Sequence, residues 1–150
     1  LNNKSNFNKD TDLLLYMAAR SENMNIIKKS YNKKIILIDR FTDSTIAYQH
    51  YGMGVDLNLI ETLNKYLLKN IRVSFTFLNI VNQKNLQKRL KQRKSLNRYD
   101  KFKMSFYNKV QKGFLNLSKK QKNKYQLVNS NLDINNNEKL ILDKIDRLIK

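Results

Sequence analysis

Four groups of side chains in this 150-residue sequence have the types and spacing for chemistry on a phosphate-bearing ligand. Asp39-Arg40 directly follows an apolar run, Lys34-Ile-Ile-Leu-Ile38. A guanidinium fork can hold a phosphate through paired bonds, and the neighbouring carboxylate can hold Mg²⁺ or its water shell. Ser44 is followed by Thr45, Tyr48 and Gln49, and these three stand at i, i+3 and i+4, so a helix sets them on one face. A hydroxyl, a phenol and an amide in that array can read the polar edge of a base and a sugar hydroxyl. Tyr16 and Arg20, at i and i+4, put an aromatic plane beside a guanidinium, which suits a planar ring with carbonyl acceptors. The basic stretch Arg89-Leu-Lys91-Gln-Arg93-Lys-Ser-Leu-Asn-Arg98 has the makings of a lid that brings arginines to a transferring phosphoryl group. Each group also has a plain structural reading: a strand-end ion pair, a polar surface face, a core Tyr beside a surface Arg, a solvated basic helix end.

The elements that must position these groups follow from periodicity. Residues 10–31 read as a helix capped by Asp10 or Thr11, with Leu13, Leu14, Met17 and Ala18 at helical spacing. Residues 34–38 form a short β-branched run, the pattern of a strand buried on both faces of a parallel sheet. A short helix is expected at 43–51 and a turn at Gly52-Met-Gly54, then helix 57–69, strand 72–80 and helix 83–93. Helix 99–119, strand 125–129 and helix 138–149 follow, with Asn135-Asn136-Asn137 as a loop. Strands alternating with helices predict a doubly wound α/β fold, which places its ligand crevice outside the carboxyl ends of the strands, where Asp39-Arg40 falls.

Composition bounds the function. Apolar residues make up 41% of the chain, enough for a packed core. With no cysteine and one histidine, His50, there is neither a disulfide scaffold nor a thiolate or multi-histidine metal site. No apolar run approaches the roughly 18 residues of a membrane span, and the first residues lack the apolar core of a signal peptide, so a cytoplasmic protein is expected. The net charge is +18, from 30 Lys and Arg against 12 Asp and Glu. Lys and Asn together number 45, as an AT-rich genome would produce. The lysines are scattered, without an Arg-rich tract or an aromatic-basic repeat, so they read as a solvated face rather than a nucleic-acid footprint.

The order of the groups points to one family. Asp39-Arg-Phe-Thr-Asp-Ser-Thr-Ile-Ala-Tyr-Gln49 resembles the Asp-Arg-aromatic…Ser-x-x-Ala-Tyr-Gln signature of thymidylate kinases. Upstream, Leu13-Leu-Leu-Tyr16-Met-Ala-Ala-Arg20 resembles the family's Phe/Tyr-x-Ala-x-Arg helix. Downstream, Arg93-Lys-Ser-Leu-Asn-Arg98-Tyr-Asp100 resembles its lid, with Asn97 and Asp100 where Asp and Glu are usual. Phe106-Tyr-Asn-Lys-Val-Gln-Lys-Gly-Phe-Leu115 and Asn129-Ser-Asn-Leu-Asp-Ile134 continue the likeness.

The resemblance implies transfer of a phosphoryl group from ATP to dTMP with Mg²⁺, giving dTDP for dTTP synthesis, in a cytoplasmic homodimer that binds neither membrane nor nucleic acid. It implies that Tyr16 stacks on thymine, Arg20 and Thr45 contact the base, and Tyr48 lies against the deoxyribose, with Gln49 lining the same pocket. Arg40 would clamp the dTMP phosphate, and Asp39 would orient it or the Mg²⁺. Arg93 would act on the ATP phosphates, supported by Arg89 and Arg98, in a lid at about 89–100 of a single domain spanning 1–150. The implied fold is a P-loop NTPase-like doubly wound sheet. No Gly-x-x-x-x-Gly-Lys-Ser/Thr loop occurs in this chain, nor does the family's following Arg-Glu-Pro-Gly-Gly segment. The chain is therefore expected to be the C-terminal two-thirds of such an enzyme, without its first strand, phosphate-loop helix and second strand, and inactive alone. The rival expectations are a related nucleoside or nucleotide kinase and a basic nucleic-acid-binding module.

Overall fold

A computed structural model describes residues 7–95 and 97–149. Helix α1 spans Lys9–Ser30, α2 spans Thr42–Thr45 and continues as a π-helical segment Ile46–Gly52, and α3 spans Leu57–Leu68. Strand β1 (Thr76–Ile80) and helix α4 (Gln83–Lys91) precede a 3₁₀ turn at Tyr99–Lys101. Helix α5 (Met104–Lys120), a 3₁₀ turn at Lys122–Lys124, strand β2 (Tyr125–Asn129) and helix α6 (Ile134–Ile149) complete the order. The chain divides into two compact units, one comprising residues up to Val73 with Phe102–Leu117, the other Ser74–Lys101 with Ser118 onward.

In the first unit α1 packs on α3 and on the π-helical segment. Leu13 and Met17 of α1 meet Ile46, Val55 and Ile60 in a buried cluster, with Tyr51, Met53, Leu57, Leu63 and Leu67 against it. Asn8, not Asp10 or Thr11, caps α1: its side-chain oxygen accepts from the backbone N–H of Asp10 at 3.1 Å and of Thr11 at 2.8 Å. Asp10 and Asp12 lie in the first turn and Lys28 and Lys29 in the last, each favourable to the helix dipole.

The expected helix at 43–51 changes pitch. The Met53 N–H bonds the Tyr48 carbonyl at 3.1 Å, an i→i+5 closure, and Gly54 follows at φ +75°, where glycine is the natural residue. Gly52 and Gly113 allow close approach to α5. A Cβ on Gly52 would stand 2.5 Å from the Phe106 ring, and one on Gly113 2.6 Å from the Tyr51 ring.

Residues 35–38 correct the expectation of a buried strand. Among the described residues no strand pairs with them, and Leu37 is 81% exposed. An apolar run becomes a strand only through a ladder partner, and here it stays irregular.

In the second unit β1 and β2 form a parallel pair, in register from Thr76↔Tyr125 to Ile80↔Asn129. Strand β1 begins at Thr76 rather than Arg72 because its five-residue partner sets the length of the ladder. Leu78 and Val128 are buried, and α6 packs on β2. The run Asn135-Asn136-Asn137 is the first turn of α6, not a loop, because the Asp133 carboxylate accepts the Asn136 backbone N–H at 3.0 Å. That backbone bond holds the Asp133 carboxyl below its ordinary range, with a partial offset from desolvation. The expected helix at 99–119 is likewise divided, its first turn being 3₁₀.

Candidate functional site

The first unit brings the upstream groups onto two facing elements. Asp12, Tyr16 and Arg20 recur every four residues along α1 and so form one stripe. Opposite lie α2 and the π-helical segment with Thr45, Tyr48 and Gln49.

Arg20 is buried, with 9% of its surface exposed. Its Nη2 donates to the Thr45 hydroxyl at 2.7 Å and to the Phe41 carbonyl at 3.1 Å. The guanidinium carbon also stands 5.0 Å from the Phe41 ring centroid, a cation–π distance. Burial pulls the Arg20 guanidinium below its ordinary range, and the Asp43 carboxylate acts in the opposite sense. Among the described residues its Nε and Nη1 have no hydrogen-bond partner. Two unpaired, buried cationic donors are costly, and a planar ligand with carbonyl acceptors would relieve that cost.

Arg40 adopts φ +59°, a left-handed conformation unusual for a residue with a Cβ. Its guanidinium carbon lies 5.3 Å from the Tyr48 ring centroid. Tyr48 in turn makes edge contacts with Phe106 at 5.9 Å and Phe114 at 6.3 Å between ring centroids. Both phenylalanines belong to α5, so a strained arginine rests on a tyrosine fixed from behind. Residue strain of this kind persists where the surroundings over-determine it, commonly at functional sites. Asp39 is exposed beside Arg40 in sequence. Gln49 points inward: its Nε2 donates to Asp12 Oδ2 at 2.9 Å, with 2% and 0% of the two residues exposed.

Arg89, Arg93 and Arg98, expected in a lid, belong to the second unit. Arg89 Nη2 donates to the Ser130 carbonyl at 2.6 Å, beside a cavity of about 420 Å³ that is also bordered by Leu132, Ile134 and Leu142. Arg93 pairs with Asp100, while Arg98 is half-buried next to the 3₁₀ turn.

Sequence reasoning missed Asp12, Phe41 and the α5 phenylalanines as parts of the site. For Asp12 a signal was present, since it precedes Tyr16 by one helical interval and Arg20 by two. Phe41 contributes through its carbonyl and ring together, which no side-chain pattern announces.

The fold and site thus define an α/β protein with a small parallel sheet and a buried guanidinium pocket built on two facing helical segments. The family described as Thymidylate kinase matches residues 1–141, and the chain belongs to that family. It is 34% identical over 137 residues to the thymidylate kinase of Wolbachia pipientis subsp. Culex pipiens (strain wPip), covering 90% of this chain and 65% of that one. It is 40% identical over 106 residues to that of Wolbachia sp. subsp. Brugia malayi (strain TRS), covering 69% and 50%. A crystal structure of thymidylate kinase from Ehrlichia chaffeensis superposes with a TM-score of 0.73 at 31% identity, covering 100% of this chain and 71% of that one. The chain thus spans about half to two thirds of the length of these two Wolbachia relatives. Among the described residues no helix is long and apolar enough to cross a membrane.

Proposed function

We propose that this chain supplies the dTMP pocket and the lid of a thymidylate kinase, an enzyme that transfers the γ-phosphoryl group of ATP to dTMP. The observation that carries this reading is Arg20, buried against Phe41 and Thr45 with two donors unpaired. A pyrimidine carbonyl is an acceptor of the right kind for them. Tyr16, in the same stripe of α1, stacks on thymine, and Thr45 presents its hydroxyl to the base edge. Tyr48 lies against the deoxyribose and crowds a 2′-hydroxyl, with Gln49 in the wall behind it. Arg40, resting on Tyr48, clamps the dTMP phosphate.

Phosphoryl transfer needs positioning and charge neutralisation rather than covalent help from the protein. Arg93 neutralises charge on the transferring group from the lid at 89–100, and Arg89 and Arg98 support it. Mg²⁺ keeps several waters and takes phosphate oxygens, so it asks only one or two carboxylates of a protein. The exposed Asp39 beside Arg40 fits that requirement and would hold the ion or its water shell. When bound, the ion draws charge from the phosphate oxygens.

The reading takes residues 1–150 as part of one P-loop NTPase-type domain in a cytoplasmic homodimer. Titration of the full-length protein with dTMP, dCMP and dAMP tests the pocket. Selective binding of dTMP is expected, and equal affinity for the three would overturn the reading.

A further inference from the structure

The mechanism above leaves one buried titratable group without a task. Asp12 is fully enclosed in the core of the first unit, a position that acidic side chains rarely occupy without a specific partner. Its Oδ2 accepts from Gln49 Nε2 at 2.9 Å. It does not serve as the counter-ion of Arg20. The two stand eight residues apart on one helix, about 12 Å along its axis at 1.5 Å per residue, and the carboxylate that acts on Arg20 is Asp43.

Two cross-element bonds therefore join α1 to the facing segment. Arg20 to Thr45 lies at one end of the stripe, Asp12 to Gln49 at the other, and Tyr16 falls midway between them in sequence. Gln49 also accepts the Val55 N–H on its backbone carbonyl at 2.9 Å, so it is fixed at both ends within the π-helical segment. The residue before it is Tyr48, on whose ring Arg40 rests.

We infer that Asp12 is a positioning residue of the nucleotide pocket. Through Gln49 it sets the register of the π-helical segment against α1, and so the spacing between Tyr16 and Tyr48. This inference rests on the dTMP reading and deepens it. Asp12 touches no substrate. Its effect passes through Gln49 and needs an acceptor at that point rather than a negative charge.

The test uses the full-length protein, titrated calorimetrically with dTMP and with ATP in separate experiments. Asp12→Ala is expected to weaken dTMP about tenfold or more, the scale of leaving one buried polar group, here the Gln49 amide, without that partner, and to leave ATP affinity unchanged. Asp12→Asn keeps a carbonyl acceptor and is expected to restore dTMP affinity. Replacing both partners, Asp12→Leu with Gln49→Leu, removes both ends of this bond together, and a folded double variant is expected to keep the dTMP loss. Unchanged dTMP affinity in a folded Asp12→Ala or double variant overturns the inference. So do equal losses for the two nucleotides, or failure of both variants to fold, which would make the pair purely structural. If Arg20→Ala loses dTMP while Asp12→Ala keeps it, the inference alone falls. If the unaltered protein does not bind dTMP, the thymidylate kinase reading falls and takes the inference with it.

Discussion

Arg93 and Asp100 are joined through a single guanidinium nitrogen: Nη1 donates to Oδ1 at 2.7 Å and to Oδ2 at 2.8 Å. The Asp100 side chain is 4% exposed and that of Arg93 50%. The Asn97 backbone N–H also donates to Asp100 Oδ2 at 2.9 Å, while the Asn97 side-chain oxygen accepts from the backbone N–H groups of Tyr99 and Asp100. Asn97 and Asp100 therefore hold each other, and Asp100 anchors Arg93. Both bonds use Nη1.

Arginines that meet a transferring phosphoryl group are worth roughly 10³–10⁵ in rate. In the full-length protein Arg93→Ala is therefore expected to lower kcat far more than it raises KM for dTMP. Steady-state kinetics with dTMP as the varied substrate check this. A variant with near-normal kcat would shift the role to another arginine, Arg89 first among those of this chain.

Arg20→Ala removes the only buried arginine among the described residues, together with its bonds to Thr45 and Phe41. The dTMP affinity of the full-length protein is expected to fall by about 1.5–3 kcal/mol, the range for a hydrogen bond involving a charged group. ATP affinity should hold, because Phe41 and Thr45, which Arg20 contacts, lie with it in the first unit. Calorimetric titration with each nucleotide decides it, and comparable losses for both would remove Arg20 from the base pocket.

Gly113 makes a prediction about packing rather than chemistry. A Cβ there would meet Tyr51 Cδ2 at 2.6 Å and Cγ at 2.7 Å. The Tyr51 ring is also in edge contact with His50, at 4.9 Å between centroids, and packs on the buried cluster, so its retreat disturbs both. Overpacking of this kind costs about 1–3 kcal/mol. Gly113→Ala should lower the urea midpoint accordingly, while Gly113→Ser should cost at least as much. An unchanged midpoint would show that the helix and ring separate easily.

The parts of this fold that local rules govern were legible in the sequence. Strand β2 falls at Tyr125–Asn129 as its β-branched and aromatic pattern suggests, and α3 differs from expectation by one residue at its C-terminus. The helical spacing of Tyr16 and Arg20 was legible as well, since both lie on α1. What could not be read depends on partners distant in sequence. Residues 35–38 carry a strand's composition, yet strand formation is decided by a ladder partner. The close approach of Gly52 to Phe106 joins residues 54 apart in sequence, and Asp12 bonds Gln49, 37 residues away. Periodicity describes one element at a time and is silent on such pairings.

The 150-residue chain by itself is expected to show no turnover of ATP with dTMP. Kinases of this type hold the ATP phosphates on backbone N–H groups of a glycine-rich loop and on its lysine. This chain has three glycines, and each has another task. Gly52 and Gly113 permit contact with Phe106 and Tyr51, and Gly54 takes the positive φ of a turn. None is followed by Lys-Ser or Lys-Thr. The exposed apolar segment 35–38, with Ile35 67% and Leu37 81% exposed, is in addition a hazard for association between chains. Purified chain should therefore associate as its concentration rises, as sedimentation would show, and a coupled ADP-release assay with dTMP, ATP and Mg²⁺ should stay at background. Steady turnover by a monomeric preparation of these 150 residues would mean that the ATP phosphates are held by groups other than a glycine-rich loop, and the division of labour between pocket and lid would have to be redrawn.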